Sequence, residues 1–450
     1  MDKFEFFNNV RETVPGYKDF ISGHPIHSEA DWNRIPLTNK QNYLLHYPVN
    51  KLIREGSFKK CFLIGASSGF SKSGTVWWLK QSEDEGAYIE KVKELFIRDY
   101  RVDKKSTLVL VSLALGTWIG GMQLACTLRS LAGKMEGIVT ATPGIDLNES
   151  IRLAKTFGKM FDQIIWITNP SSINIIYARL KKEDKELLNG KIFFPVVGEY
   201  FTENFREKIA ENFGHSTDNV YVVKTGYGSA DTGDLGIERE STIRLRKFLN
   251  RHPELSEKLM GDKNPPMFFE KSHQAYIETI NGNLVVTKDQ FIPLVRYNTH
   301  DTGGLIKKET FRDTGIDPAL YNALPDEILY VFGRTSDSVI FYGTNLNIYA
   351  SGDYLNMLDT SFSYGGLYEV KVTEENDIQF VEFTIYVLAP RKELSEKYRQ
   401  ALIRFLKSSS NEFNAKYDRL KAAAGQDLIR VKILPVTDKN LAQKHHTIKN

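Results

Sequence analysis

Between residues 107 and 223 the chain alternates short, nearly unbroken apolar runs with longer segments whose apolar positions recur every three or four residues. A run of about five apolar residues bounded by turns fits a strand buried on both faces, and the three-to-four spacing marks one face of a helix. Strands are predicted over 107–111, 137–140, 162–167, 192–197 and 219–223, and helices over 119–131, 175–180 and 203–212. A further helix carries Leu147, Ile151 and Ala154 behind Asp146, a residue suited to cap it. Repeated units of this kind imply a largely parallel sheet covered by helices. After residue 270 the runs shorten, and Ala275-Tyr276-Ile277-Glu278 and Leu284-Val285-Val286-Thr287 flank Asn281-Gly282-Asn283, a hairpin signal. From 336 the order reads strand 368–373, strand 380–387, helix 394–406, helix 411–421, strand 428–434. The expected fold is therefore α/β: a large unit over 1–335 with mixed and parallel sheets covered by helices, then a small, mobile α+β unit over 336–450.

A length of 450 residues is enough for two or three domains. Lys plus Arg number 59 and Asp plus Glu 56, a net +3 spread along the chain, so no charge argument favours a nucleic-acid or membrane partner. No run approaches the roughly 20 apolar residues that span a bilayer. Met1-Asp2-Lys3-Phe4-Glu5-Phe6-Phe7 has neither the apolar stretch nor the cleavage site of a leader. Cys61 and Cys126 lie in apolar segments without ligand partners, which reads as buried free thiols. The expectation is a soluble cytoplasmic protein; a homodimer is left open.

Chemistry enters with Ser67-Ser68-Gly69-Phe70-Ser71-Lys72-Ser73-Gly74-Thr75, directly after an apolar run. Glycines admit an anion to the backbone N–H groups, hydroxyls add donors, and Lys72 adds charge. The Walker spacing G-x-x-x-x-G-K-[ST] fails, because Phe70 or Thr75 stands where it needs glycine or lysine. Gly65-Ala66-Ser67-Ser68-Gly69 does fit G-x-S-x-G, so a serine hydrolase using Ser67 stays open, although no helical pattern follows at once. A plain structural loop stays open too.

Four later segments carry polar groups at strand ends: Val197-Gly198-Glu199-Tyr200, Gly226-Tyr227-Gly228-Ser229-Ala230-Asp231, Arg296-Tyr297-Asn298-Thr299-His300-Asp301, and Gly333-Arg334-Thr335-Ser336-Asp337. Open α/β sheets bind ligands at the carboxyl ends of their strands. Each segment also has an ordinary structural reading. Ser229-Ala230-Asp231-Thr232-Gly233 could be an Asx-type turn, Asp301 could cap a turn at Thr302-Gly303-Gly304, and Arg334 could pair with Asp337.

In this order the segments resemble the adenylate-forming superfamily, most closely its phenylacetate–CoA ligase-like branch, with S-S-G-T-T-G, G-x-E, Y-G-x-[ST]-E, R-Y-x-T-G-D and G-R-x-D-D. Pro36-Leu37-Thr38-Asn39-Lys40 is similar to the family's P-L-T-x-K, so the likeness covers about residues 30–350. It implies a ligase that joins a carboxylic acid, expected to be aromatic, to ATP as an acyl-adenylate, releases pyrophosphate and passes the acyl group to CoA. Loading of a carrier-protein phosphopantetheine is the alternative, and a nucleotide-binding protein without turnover a further one. By that resemblance Ser67, Ser68, Gly69, Ser71, Lys72, Ser73 and Gly74 cradle the ATP phosphates, and Asp231 holds Mg2+. Tyr227 and Gly228 flank adenine, Gly198 and Glu199 line the nucleoside pocket, Asp301 binds ribose, and Arg334 contacts ribose or phosphate. Trp118, Gly120, Thr142 and Gly144 face the acid, with Trp118 stacking on an aromatic ring. Lys444, or Lys449, is the candidate for the terminal catalytic lysine, in a tail otherwise read as solvated and basic. The sequence departs from the family at Phe70 and Lys72, at Asp231 in place of glutamate, at His300 in place of glycine, and at Ser336 in place of the first hinge aspartate.

Overall fold

The computed structural model describes residues 2–66, 76–334, 338–341, 344–348, 351–358, 364–375, 378–409, 411–437 and 446–449. Helices Lys3–Thr13 and Pro15–Phe20 open the chain. Their aromatic side chains Phe6, Phe7 and Tyr17 join Trp32, Tyr43, Trp78, Ile119, Leu294 and Tyr297 in one apolar cluster. The N-terminal segment is thereby fastened to the strands that carry the later motifs. Next comes an antiparallel ribbon, β1 (Leu63–Ala66) with β2 (Trp77–Lys80).

The parallel strands follow the apolar runs: β3 (Thr107–Val111), β4 (Ile138–Ala141), β5 (Gln163–Ile167) and β6 (Ile192–Val196). β3 and β5 are buried at every residue, which is why they read as unbroken apolar stretches. Period-two geometry divides their side chains between two layers. Leu108, Leu110, Ile164 and Trp166 pack with Ile151, Ile173 and Ile209 of one layer of helices, and Val109, Val111, Ile165 and Ile167 with Val92, Phe96 and Leu128 of the other. β7 (Val223–Ser229) continues the parallel set, and β8 (Gly233–Ile237) turns back on it. β9 (Met267–Lys271), β10 (Ala275–Ile280), β11 (Asn283–Lys288), β12 (Leu294–Lys307) and β13 (Glu327–Arg334) complete a sheet in the order β10-β11-β12-β13-β9-β8-β7-β6-β5-β3-β4. The predicted hairpin is present: Ile280 pairs with Asn283, and Asn281 and Gly282 both take positive φ, 51° and 78°, as a tight two-residue turn requires.

Beyond β13 lie β14 (Ser338–Phe341), β15 (Thr344–Asn347), helix Ser351–Leu358, β16 (Tyr364–Glu375), β17 (Ile378–Val387), helices Lys392–Ser409 and Asn411–Ala424, β18 (Ile429–Pro435) and β19 (His446–Lys449). The order β18-β17-β16-β19 makes a second sheet, and a separate apolar cluster runs from Val339 to Ile429. No described helix is long and apolar enough to cross a membrane.

Three expectations need correction. The strand predicted over 219–223 begins only at Val223, because Asn219 closes a turn, its Oδ1 accepting from the N–H of Tyr221 at 3.1 Å. Of the tail, the described residues His446–Lys449 are not open chain, since their backbone pairs in parallel with Tyr368 to Lys371. Cys126 is exposed rather than buried, on the outward side of helix Ile119–Ala132.

Candidate active site

The loops that leave β3, β4 and β6 line one edge of the parallel strands. Helix Ile119–Ala132 starts behind Trp118, which bridges to Ala66, and the Ala66 N–H donates to the Thr117 carbonyl at 2.7 Å. A Cβ on Gly121 would lie 2.0 Å from the Ala114 oxygen, so the helix can enter this close only with glycine there, whereas a Cβ on Gly120 would meet nothing within 4 Å. Thr142 and Gly144 follow β4, and the Gly144 N–H donates to the Val111 carbonyl at 3.3 Å with φ 70°. Trp118 and Gly120, at the start of this helix, and Thr142 and Gly144, after β4, therefore follow two neighbouring strands. Gly198 turns the chain after β6 with φ 85°, and Glu199 accepts from Asn169 Nδ2 at 3.4 Å.

Across the sheet, two tyrosine–carboxylate pairs form. Tyr227, on β7, donates its hydroxyl to Asp301 Oδ2 of β12 at 2.6 Å. Tyr297, on β12, donates to Asp231 Oδ2 in the β7–β8 turn, also at 2.6 Å. Four residues from two motifs thus interlock reciprocally. Short O–H···O⁻ bonds are among the stronger hydrogen bonds and hold a carboxylate in one orientation. Gly228 allows the turn to close, since a Cβ there would lie 2.2 Å from the Gly233 oxygen. Ser229, not Asp231, caps that turn: its Oγ accepts from the N–H groups of Asp231 and Thr232, each at 3.1 Å. The Asx-type reading of Asp231 is corrected accordingly, because the carboxylate points at Tyr297 instead. Asp301 caps no turn either, since β12 runs on through Thr302 to Lys307. Gln290 Nε2 donates to the Asp231 carbonyl at 2.9 Å, and the buried Lys288 donates to the carbonyls of Thr232 and Asp234.

Arg296 and Tyr297 also hold the N-terminal segment. Arg296 is buried with φ 45° and donates to the carbonyls of Trp32 and Ile35 at 3.1 and 2.6 Å. The Thr38 N–H donates to the Arg296 carbonyl and the Asn298 N–H to the Thr38 carbonyl. Pro36-Leu37-Thr38 is in this way hydrogen-bonded alongside the Arg-Tyr-Asn-Thr segment. Tyr297 and Arg296 were inside a quoted motif, yet their partners could not be read from it.

Behind the Gly198-Glu199 loop lies a buried ion quartet. Arg206 contacts Glu203 at 3.0 Å and Glu238 at 2.6 Å, Arg246 contacts Glu203 at 3.3 Å, and Glu238 Oε2 accepts from the Thr225 N–H at 2.9 Å. Burial by itself would lower the Arg206 pKa, but the Glu203 and Glu238 carboxylates outweigh it and push it up. Arg246 lies over the Tyr200 ring and Arg206 over Phe201, so the quartet braces the residues next to Glu199.

Ser67, Ser68, Gly69, Ser71, Lys72, Ser73, Gly74 and Lys444 lie outside the described residues. Arg334 ends β13 directly opposite Asp301 across the β12–β13 pairing. Among the described residues no group of three or more His, Cys, Asp or Glu could hold a metal ion. Asp231 is a single hard oxygen donor at a loop, which suits a Mg2+ ion held mostly by phosphates and water.

No family profile matches the chain, and no curated protein sequence does. Solved structures do. A 2-hydroxyisobutyryl-CoA ligase in the postadenylation state, in complex with R3-HIB-AMP, superposes with a TM-score of 0.65 at 14% identity, over 99% of this chain and 87% of that one. The same ligase in the thioesterification state, with 2-HIB-AMP and CoA, gives 0.52 at 15% identity over the same shares. An acyl acid amido synthetase in complex with 2,4-DB gives 0.57 at 10% identity, over 96% of this chain and 85% of that one.

Proposed function

We infer, from a chain that has the fold of the adenylate-forming superfamily, that it is an ATP-dependent ligase that activates a carboxylic acid. The observation that carries this reading is the reciprocal pairing of Tyr227 with Asp301 and Tyr297 with Asp231, with Arg334 opposite Asp301. Two carboxylates held by phenols at one end of a sheet suit a nucleotide: Asp301 would take the ribose hydroxyls and Asp231 the metal that accompanies the phosphates. In the first step an acid oxygen attacks the α-phosphorus of ATP, the bond to the β-phosphate oxygen breaks, and pyrophosphate leaves. In the second, the CoA thiolate attacks the acyl carbon and AMP leaves with the bonding electrons.

Asp231 would hold Mg2+, which supplies charge neutralisation for the departing pyrophosphate. The chain's own contribution is alignment. Gly198 and Glu199 border the nucleoside, Tyr227 and Gly228 the adenine, and Trp118, Gly120, Thr142 and Gly144 an aromatic acid, so both reactants meet in line. Ser67, Ser68, Gly69, Ser71, Lys72, Ser73 and Gly74 would receive the phosphates, and Lys444 would reach the acyl carboxylate when the unit over 336–450 closes on the unit over 1–335. An amine acceptor is the second reading, favoured by the likeness to an amido synthetase; phosphopantetheine on a carrier protein is a further thiol.

Acid-dependent exchange of labelled pyrophosphate into ATP, measured over an acid panel with Mg2+, tests the first step. Exchange with at least one acid is expected, and none across the panel sinks the reading. CoA, phosphopantetheinyl carrier protein and amino acids added afterwards identify the acceptor.

A further inference from the structure

We infer that the β1–β2 ribbon and the second turn of helix Ile119–Ala132 form a hydrogen-bond-donating subsite for a neutral oxygen, a carbonyl, ether or hydroxyl, at the far end of the acid. This rests on the ligase reading above. Gly65 pairs with Trp78 across the ribbon, and a Cβ on Gly65 would lie 2.7 Å from Ile119 Cδ1. The ribbon face that carries Trp78 therefore lies against the start of the helix. Lys80, two residues on, shares that face. Gln123 stands one turn beyond Ile119 and three residues beyond Gly120.

Lys80 Nζ donates to Gln123 Oε1 at 2.8 Å. An ammonium only donates, so this bond fixes which way the amide points: its oxygen to Lys80 and its NH2 to the other side. Gln123 is 9% exposed and its Nε2 has no acceptor among the described residues; Trp78 is 4% exposed and its indole N–H has none among them either. Buried donors are seldom left unpaired, and two beside one interface mark a place where an acceptor belongs.

There is room beside Gly120: a side chain there would meet nothing within 4 Å among the described residues, and Gly120 and Gln123 lie on one flank of the helix, just past Trp118. An acid whose carboxylate reached the nucleotide and whose body passed Trp118 and Gly120 would bring its far end to Gln123. Both donors are neutral, an amide NH2 and an indole N–H, so a neutral oxygen suits them better than a carboxylate, whose lost hydration they would not offset. A site that donates to such an oxygen discriminates sharply against an analogue without it, because the donors are then left buried and unpaired.

The test uses matched benzoic, arylacetic and arylpropanoic acids that differ only in the para group: acetyl against isopropyl, methoxy against ethyl. Binding to the full chain without ATP is measured by ligand-detected NMR, and pyrophosphate exchange is followed in parallel. The oxygen-bearing member of a pair is expected to win by about 10-fold or more. In Gln123→Met and in Trp78→Phe that ratio is expected to fall to within about 2-fold. The ratio is taken within each variant, so partial loss of folded protein cancels. A wild-type ratio near one in every pair, a ratio that survives in both variants, or no acid binding at all overturns the inference. A Gln123-dependent binding preference without exchange upholds the subsite and overturns the ligase reading instead.

Discussion

Tyr297 ties two functions together at the scale of one residue. Its ring belongs to the apolar cluster around Trp32 and Leu294, and its hydroxyl holds Asp231. Asp231 is one methylene shorter than the glutamate of the motif its segment resembles, and the phenol fixes where the shorter carboxylate points. Tyr297→Phe keeps the ring and removes the bond. A hydrogen bond to a charged group contributes about 1.5–3 kcal/mol, so the exchange rate should fall about 10-fold or more and need more Mg2+ for half-maximal rate. Thermal unfolding should move little. An exchange rate within twofold of the wild type would count against a positioning role. Sequence reading gave roles to Asp231, Asp301 and Tyr227 but none to Tyr297, although it stands inside the quoted Arg-Tyr motif, because a motif aromatic is as often core as site.

The elements show where local pattern stops being informative. β3 was legible to the residue and β5 to within one residue because each is buried on both faces, and the β10–β11 turn was legible because Asn-Gly tolerates positive φ. β7 was misjudged at its start. Its Gly226-Tyr227-Gly228 half lacks apolar alternation, and the hydrogen bonds that make it a strand come from β8. The ion quartet beneath the next loop was also missed, since its members belong to no motif, and Glu238 and Arg246 lie far along the chain from Glu203 and Arg206. Removing one partner of a buried charge network leaves the others uncompensated, so Arg206→Met should cost about 3–5 kcal/mol of stability in urea unfolding. It should also weaken ATP binding, through the Tyr200 and Phe201 contacts. A loss below about 1 kcal/mol, the level of a surface pair, would show the quartet to be a minor support.

For the whole molecule, the two sheets have separate apolar clusters, and we propose a division near residue 336, where Ser336 lies outside the described residues. Helices Pro170–Glu183 and Glu203–Asn212 of the large unit contact β16 and helix Ser351–Leu358 of the small one. If the second step needs that contact to rearrange, Ser336→Pro should slow acyl transfer by about 10-fold or more and leave pyrophosphate exchange within about threefold, because lid motions gate one step without touching the chemistry of the other. Equal loss in both assays would remove the hinge from the account.

By itself the sequence determined the alternation of strands and helices, the tight turns and the order of the polar segments, because each depends on side-chain periodicity or on backbone freedom over a few residues. Only the tertiary structure decided that Tyr227 meets Asp301 and Tyr297 meets Asp231, 74 and 66 residues apart. Three strands, β13, β9 and β8, lie between β12 and β7 in the sheet, so these contacts need the sheet to curl until its distant members face each other. Sheet curl is the accumulated twist of many strands, and no short stretch of sequence contains it. The same holds for Gln123 and Trp78, whose donors, unpaired among the described residues, come to one interface only when the ribbon lies down on the helix.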